Sequence, residues 1–292
     1  MSAGKPVVVA VDGSESASTA VQWAARTAAA LGRSLLIVTV VHVPPVYFAE
    51  PFIASGFEDE LRSTANSRLE SARLLALESV DHELEIATEV HSGTVAEQLI
   101  GISARAHILV VGPRGHGELA GLIVGSVTVA TVSHALAPVA VVRGRELPDG
   151  PVVVGVDGSE TSIEAVELAF EQASARGAEL VAVNVWSDAD VQPSLGVTAD
   201  DPQWNSIHTG EEIVLAERLA GFAERYPDVP VRRVVARDRP VRVLGTYSET
   251  AQLIVVGSRG RGGFTGMLLG STSRALLHTA DCPVLVVRHN AD

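Results

Sequence analysis

The sequence has 292 residues, of which 47% are hydrophobic and 20% are charged, and it predicts a globular protein of about two domains. Its formal net charge of -13 argues against a broad nucleic-acid-binding surface, which would need clustered lysine and arginine. Cys282 is the sole cysteine, so no intrachain disulfide is possible, and we find neither a signal-peptide core nor an apolar run of membrane-spanning length. We therefore expect a cytoplasmic protein.

Strand-like and helix-like segments alternate along the first half of the chain. Continuous aliphatic runs, typical of parallel strands buried on both faces, predict strands at 7–11, 35–41, 84–90, 107–111 and 138–142. Segments with apolar residues at helical spacing lie between them, most clearly at 16–31 and 58–79. The order predicts a Rossmann-like α/β fold, a doubly wound parallel sheet of five strands.

The second half repeats the first at a shift of 145 residues. The segment Val7–Glu15 falls on Val152–Glu160, and Pro138–Arg143 falls on Pro283–Arg288. Because the register holds over the whole length, we interpret the repeat as duplication of a domain rather than as a solenoid. The polar stretch 144–150, which contains proline and glycine, predicts a linker. We thus expect one domain at 1–144 and a second at 151–292.

A glycine-rich loop follows the fourth predicted strand of each half. The two fifteen-residue loops share seven identical positions, including the spaced residues Gly112, Gly115, Gly125 and Ser126 in the first half and Gly257, Gly260, Gly270 and Ser271 in the second. Such a loop, leading from a buried strand to a helix N-terminus, brings backbone amides close to an anion. The sequence therefore predicts two phosphate sites, to which Arg114, Arg259 and Arg261 can add positive charge.

Other interpretations of these loops are weaker. Each could be a surface loop with a serine N-cap, although the duplication makes this less attractive. The loops lack the Gly-Lys-Ser/Thr of a Walker A motif, and the dinucleotide fingerprint would follow the first strand instead. The nine histidines show no metal-binding spacing, and no catalytic triad can be argued from sequence position.

Asp12 and Asp157 end the first strand of each half and begin an Asp-Gly-Ser-Glu turn. One interpretation is that the aspartate or the serine caps the next helix. The other places the carboxylate beside a ribose hydroxyl or a base edge, because ligands of doubly wound sheets bind at the carboxyl ends of the strands. Both can hold together, with Ser14 as the cap and Asp12 facing the ligand.

These features resemble the ATP-binding branch of the universal stress protein family. The shared features are the spacing Gly-x2-Gly-x9-Gly-Ser/Thr, the strand-ending aspartate and the Pro-Val that opens the last strand, and the resemblance covers essentially the whole chain as two tandem domains. It implies the fold of the adenine nucleotide alpha hydrolase-like proteins, one ATP per domain with Mg2+, and a regulatory role in stress or dormancy. It also implies association through the last strands, Val139–Arg143 and Val284–Arg288, as a homodimer or between the two domains.

The resemblance also implies a role for each site residue. The aspartate and the first loop glycine contact ribose, the backbone of a second-strand valine contacts adenine, and the remaining glycines and the serine hold phosphates. In the first half these are Asp12, Val40, Gly112, Gly115, Gly125 and Ser126. In the second half they are Asp157, Val185, Gly257, Gly260, Gly270 and Ser271. Val111 and Val256 line the base pocket.

One departure distinguishes the two loops. Pro113 has no N–H, whereas the second loop has Ser258 at that position. If this amide points at a phosphate, the first site is weaker; if it points away, nothing changes. The second half also has Arg237-Asp238-Arg239-Pro240 where the first has Ser92-Gly93-Thr94-Val95, and we expect the second half to bind ATP more tightly.

Two other functions stay open at this point. One is an enzyme on the same fold: a slow ATPase, an autophosphorylating protein or a nucleotidyl transferase. The loops lack a lysine and a His-x-Gly-His pair, so this interpretation has no evident catalytic group. The other is a flavin-binding electron carrier, which suits the fold but not the paired phosphate loops.

Overall fold

The computed structural model describes residues 4–41, 51–115, 124–186, 202–260 and 268–288, with the backbone alone at 51–58, 160, 202–207 and 223. Its contacts divide the chain into two compact units, Met1–Arg143 and Gly144–Asp292. The predicted domain ranges differ from these units in leaving 145–150 between the domains.

The first unit is a five-stranded parallel sheet with helices on both faces. Its strands are β1 (Val7–Ala10), β2 (Leu35–Val41), β3 (Ile86–Ser92), β4 (Ile108–Val111) and β5 (Val139–Val141). Its helices are α1 (Glu15–Ala30), α2 (Pro51–Glu78), α3 (Val95–Ser103) and α4 (Ser126–His134). The strand order is β3-β2-β1-β4-β5, with α1 and α2 packed together and α3 packed on α4. The predicted doubly wound sheet is confirmed.

The second unit repeats this architecture. Its strands are β6 (Val152–Gly155), β7 (Leu180–Trp186), β8 (Val231–Arg237), β9 (Leu253–Gly257) and β10 (Val284–Val287). Its helices are α5 (Glu160–Arg176), α6 (Pro202–Arg225), α7 (Pro240–Ser248) and α8 (Ser271–Thr279). The strand order β8-β7-β6-β9-β10 matches that of the first unit, and α5 packs on α6 while α7 packs on α8.

The central strands have the burial that their aliphatic sequences predict. Val7, Val8 and Val9 of β1 are fully buried, because helices cover both faces of the sheet. Strand β3 differs: it begins at residue 86 rather than 84, and all of its residues are partly or fully exposed. The reason is its place at the end of the strand order, where fewer neighbours cover it. The expectation of burial on both faces was wrong for β3.

The connections were predicted less well than the strands. Helix α2 begins at Pro51, a favourable residue for the first helical turn, whereas the helical pattern is clear only from residue 58. The stretch 144–150 belongs to the second unit. The Arg145 amide donates to the Asp281 carbonyl (2.8 Å), and Gly144 has a φ of +66° and lies against the same carbonyl. In the part of the chain that the structure describes, no helix is both long and apolar enough to cross a membrane.

Candidate nucleotide site

The crevice where the winding reverses lies between β1 and β4 in the first unit and between β6 and β9 in the second. These strands are parallel neighbours, with Val9 opposite Val110 and Val154 opposite Val255. Their carboxyl ends therefore lie side by side, and ligands of open α/β sheets bind at such points. Asp12 follows β1 and the first glycine loop follows β4, so the fold brings the predicted ribose and phosphate groups together.

In each crevice the aspartate carboxylate lies against the second loop glycine. A Cβ placed on Gly115 would overlap the Oδ2 atom of Asp12, and a Cβ on Gly260 would overlap Oδ2 of Asp157. Because only glycine lacks a Cβ, no other residue allows this approach without moving the carboxylate. The same contact occurs in both halves.

The turn after each first strand holds the aspartate in place. Gly13 has a φ of +88°, a conformation that favours glycine, and it lets the Ser14 amide donate to Asp12 Oδ1 (2.9 Å). The Ser14 hydroxyl then accepts from the Ala17 amide (3.2 Å) and caps α1. Serine is therefore the cap, and Asp12 directs its second oxygen to the loop.

The second half has the same turn. The Ser159 amide and hydroxyl both donate to Asp157 Oδ1, at 2.9 and 2.6 Å. The Ser159 hydroxyl also accepts from the Ser162 amide (3.3 Å) at the start of α5. Asp157 is thus oriented by two donors from a single residue.

The first glycine of each loop packs against the helix that follows the aspartate turn. A Cβ on Gly112 would lie 3.0 Å from the Ser16 hydroxyl, which donates to the Arg114 carbonyl (2.7 Å). In the second half, a Cβ on Gly257 would lie 3.0 Å from the Thr161 methyl group. The loop backbone therefore runs directly over the start of α1 or α5.

The last glycine of each loop begins a helix. Gly125 and Gly270 are the N-cap residues of α4 and α8, and no side-chain hydrogen bond caps either helix among the described residues. Ser126 and Ser271 are the first helical residues and are exposed, so the serine N-cap interpretation was wrong. The first amides of each helix, together with the positive end of its dipole, can bind an anion.

Pro113 does not remove a phosphate donor. The amide at the corresponding position, that of Ser258, donates to the Val287 carbonyl of β10 (2.6 Å), and Ser258 is 1% exposed. This amide therefore points into the sheet and not toward a phosphate. Of the two cases, the structure favours the one in which Pro113 changes nothing, and the expected difference in affinity stays a prediction.

The predicted adenine residues lie at the end of the second strand of each unit. The Val38 carbonyl accepts from the Val11 amide (2.9 Å), so it faces β1. Because peptide directions alternate along a strand, the Val40 carbonyl faces the same side, beyond the end of β1. The Val183 carbonyl accepts from Val156 (2.9 Å) in the same way, which orients Val185 toward the second crevice.

Two further predicted residues lie beneath the loops. Val111 and Val256 are both 4% exposed and directly precede the first loop glycine. The middle of each loop, 116–123 and 261–267, lies outside the described residues, and it includes the predicted Arg261.

Sequence analysis missed two pairs of serine and threonine residues that contact the backbone of the loops. One pair is Ser16 and Thr161, described above. The other is Thr128, which donates to the Gly112 carbonyl (3.0 Å), and Ser273, which donates to the Ser258 carbonyl (3.2 Å). Both pairs occupy equivalent positions at the shift of 145 residues, so the repeat could have revealed them.

Comparison with known proteins identifies the family of the chain. The model of the universal stress protein family matches residues 4–143 and 150–288. The chain belongs to the universal stress protein family. Two universal stress proteins of Mycobacterium tuberculosis are similar to it over nearly their whole length. One is 42% identical over 301 residues, covering 97% of this chain and 94% of the relative, and the other is 43% identical over 296 residues, covering 97% of each.

A solved structure has the same fold. The universal stress protein from Archaeoglobus fulgidus DSM 4304 matches this universal stress protein with a TM-score of 0.71 and 20% identity. The match covers 99% of this chain and all of that one. Two tandem domains of this fold are therefore found in a known member of the family.

Proposed function

We propose that this universal stress protein binds one ATP in each domain and acts as a nucleotide-dependent regulator of a stress response. The observation that carries the proposal is the contact between the aspartate carboxylate and the second loop glycine, which is repeated in both halves. It puts a hydrogen-bond acceptor for ribose hydroxyls directly beside a loop suited to phosphate.

The order of groups along the crevice supports a nucleotide rather than a free phosphate. In the first unit the strands β2, β1 and β4 are neighbours. Their carboxyl ends present the Val40 backbone, the Asp12 carboxylate and the glycine loop in that order. A base, a ribose and a phosphate chain occur in the same order in ATP. The second unit repeats the series with Val185, Asp157 and the second loop.

Mg2+ would enter with the nucleotide. No group of three or more histidine, cysteine, aspartate or glutamate residues that could hold a metal occurs among the described residues. Mg2+ bound to nucleotides uses phosphate oxygens, water and one or two carboxylates, so it does not need such a group. We infer that a Mg2+ ion carried by ATP would screen the charge of the phosphates.

The regulatory part of the proposal rests on the surroundings of the site. The groups identified around the phosphate loop are backbone amides, glycines, hydroxyls and arginines, which bind and orient an anion. The stress-response role is supported by the relatives, which are named as universal stress proteins. We infer that the bound state, rather than turnover, carries the signal.

The test is to purify the protein without added nucleotide, denature it and identify the released ligand by mass spectrometry. Isothermal titration with MgATP then gives the stoichiometry, and release of inorganic phosphate measures turnover. We expect two ATP per chain and negligible phosphate release. An absence of adenine-nucleotide affinity would overturn the proposal. Rapid ATP hydrolysis that is abolished in the Gly270→Val variant, while that variant still binds ATP, would show that the protein is an ATPase rather than a regulator.

A further inference from the structure

An arginine follows the last strand of each unit, one strand beyond the glycine loop. In the second unit β10 is the neighbour of β9, and Arg288 comes directly after β10. The carboxyl ends of β6, β9 and β10 thus present Asp157, the glycine loop and Arg288 in that order. The arginine lies on the side of the loop opposite to the predicted ribose.

The backbone brings Arg288 next to the loop. Val287 is opposite Gly257 in the sheet, and its carbonyl accepts from the Ser258 amide (2.6 Å). Arg259 follows Ser258, and Arg288 follows Val287. The two arginines therefore lie on neighbouring backbone segments at the same end of the sheet. Arg288 is half-buried, whereas Arg259 is exposed.

The two arginines also affect each other electrostatically. Burial, followed by the positive charge of Arg259, lowers the pKa of Arg288 from its ordinary value. The guanidinium groups of Arg259 and Arg288 therefore lie within electrostatic range of each other beside the glycine loop. An anion that contacts both groups would relieve the repulsion between them.

The first unit keeps both arginines. Arg143 follows Val142, whose amide donates to the Val111 carbonyl at the end of β4 (3.0 Å), and Arg114 lies in the first loop. Arg114 and Arg143 correspond to Arg259 and Arg288 at the shift of 145 residues. Both sites therefore carry one arginine in the loop and one after the last strand.

We propose that Arg288 with Arg259, and Arg143 with Arg114, bind the terminal phosphates and select nucleoside triphosphates over monophosphates. The inference rests on the proposed nucleotide site. Two strand spacings, about 10 Å, separate the strand that precedes Asp157 from the strand that precedes Arg288. A triphosphate chain extended from a ribose at Asp157 can cross this distance, whereas a single phosphate ends at the loop. The guanidinium groups suit the task because they donate paired hydrogen bonds to phosphate oxygens.

The test replaces both strand-end arginines, as R143Q/R288Q, and measures dissociation constants for ATP, ADP and AMP at one fixed salt concentration. We expect ATP affinity to fall by about ten-fold or more, as for loss of a charge-assisted hydrogen bond, while AMP affinity is unchanged. The R143K/R288K variant restores part of the preference for ATP, because lysine keeps the charge but not the paired donors.

The matched control is Arg233→Gln. Arg233 is exposed near the amino end of β8, away from the crevice, and its loss should change neither affinity. The ratio of ATP to AMP affinity is internal to each variant, so partial unfolding does not alter it. An unchanged ratio in R143Q/R288Q overturns this inference and leaves the nucleotide site standing. A wild-type protein that binds no adenine nucleotide overturns the proposed function instead.

Discussion

The Oδ2 atom of Asp12 lies where a Cβ on Gly115 would have to go, and Asp157 has the same relation to Gly260. Each aspartate is held from its other side, because Oδ1 accepts the amide of the serine two residues later. Displacing the carboxylate would therefore disturb this hydrogen bond in the turn before α1 or α5. A side chain at the loop glycine would therefore displace the aspartate carboxylate.

This relation predicts that the double variant G115A/G260A loses nucleotide affinity. The added methyl group displaces the carboxylate from the ribose position, and we expect affinity to fall by about ten-fold or more, equal to about 1.4 kcal/mol. Isothermal titration with MgATP measures the change.

The matched control is the pair of helical glycines Gly101 and Gly245, around which a Cβ would meet no atom within 4 Å. Alanine at these positions should leave affinity unchanged and stabilise helices α3 and α7 by up to about 1 kcal/mol each. Equal affinity of G115A/G260A and G101A/G245A would show that the contact between the loop glycine and the aspartate has no part in binding.

A second prediction concerns the charge of the aspartates. In D12N/D157N the retained Oδ1 still accepts the serine amide, so the new NH2 group replaces the oxygen beside the loop glycine. A ribose hydroxyl then meets a donor instead of an acceptor. We expect weaker ATP binding at both sites with little change in melting temperature, measured by titration and by circular dichroism. A large fall in melting temperature would instead assign the aspartates to the fold.

The sheet and much of the site geometry follow from local sequence signals. Aliphatic runs, the Asp-Gly-Ser turn and the spacing of the loop glycines each reflect backbone requirements of a few residues, and the repeat doubles every signal. The direction of the Ser258 amide does not follow in this way. It depends on its pairing with Val287, which is 29 positions later in the chain. The exposure of β3 likewise depends on which strand ends the sheet.

The Ser258 hydrogen bond leads to a third prediction. Because the corresponding amide points into the sheet, Pro113→Ser should leave the ATP affinity of the first site unchanged. The measurement uses the Gly260→Ala background, so that the titration reports mainly the first site. Ser258→Pro is the reciprocal variant: loss of its bond to Val287 should lower the free energy of unfolding by about 1 kcal/mol. Tighter binding in Pro113→Ser would mean that this amide does contact the nucleotide.

The last prediction concerns an ion pair on the edge strand of the first unit. Arg105 forms a bidentate pair with Glu89 on β3, and His91 lies 2.8 Å from the same carboxylate. The hydrogen bonds from Arg105, aided by His91 and opposed by partial burial, lower the pKa of Glu89 to about 2. A carboxylate whose pKa is lower in the folded state stabilises the fold above its unfolded pKa, near 4.5, and this contribution is lost as the pH falls toward 2.

Glu89→Gln should therefore lower the free energy of unfolding at pH 7, by about 1 kcal/mol once solvent screening of this partly exposed pair is included. The difference from the wild type should shrink as the pH falls from about 4.5 toward 2, because the Glu89 carboxylate of the unfolded chain then binds a proton while that of the folded protein stays ionised. Urea unfolding at several pH values measures this difference in the free energy of unfolding. The control is Glu83→Gln, because Glu83 is exposed. A difference that stays constant down to pH 2 would show that the ion pair does not contribute to stability.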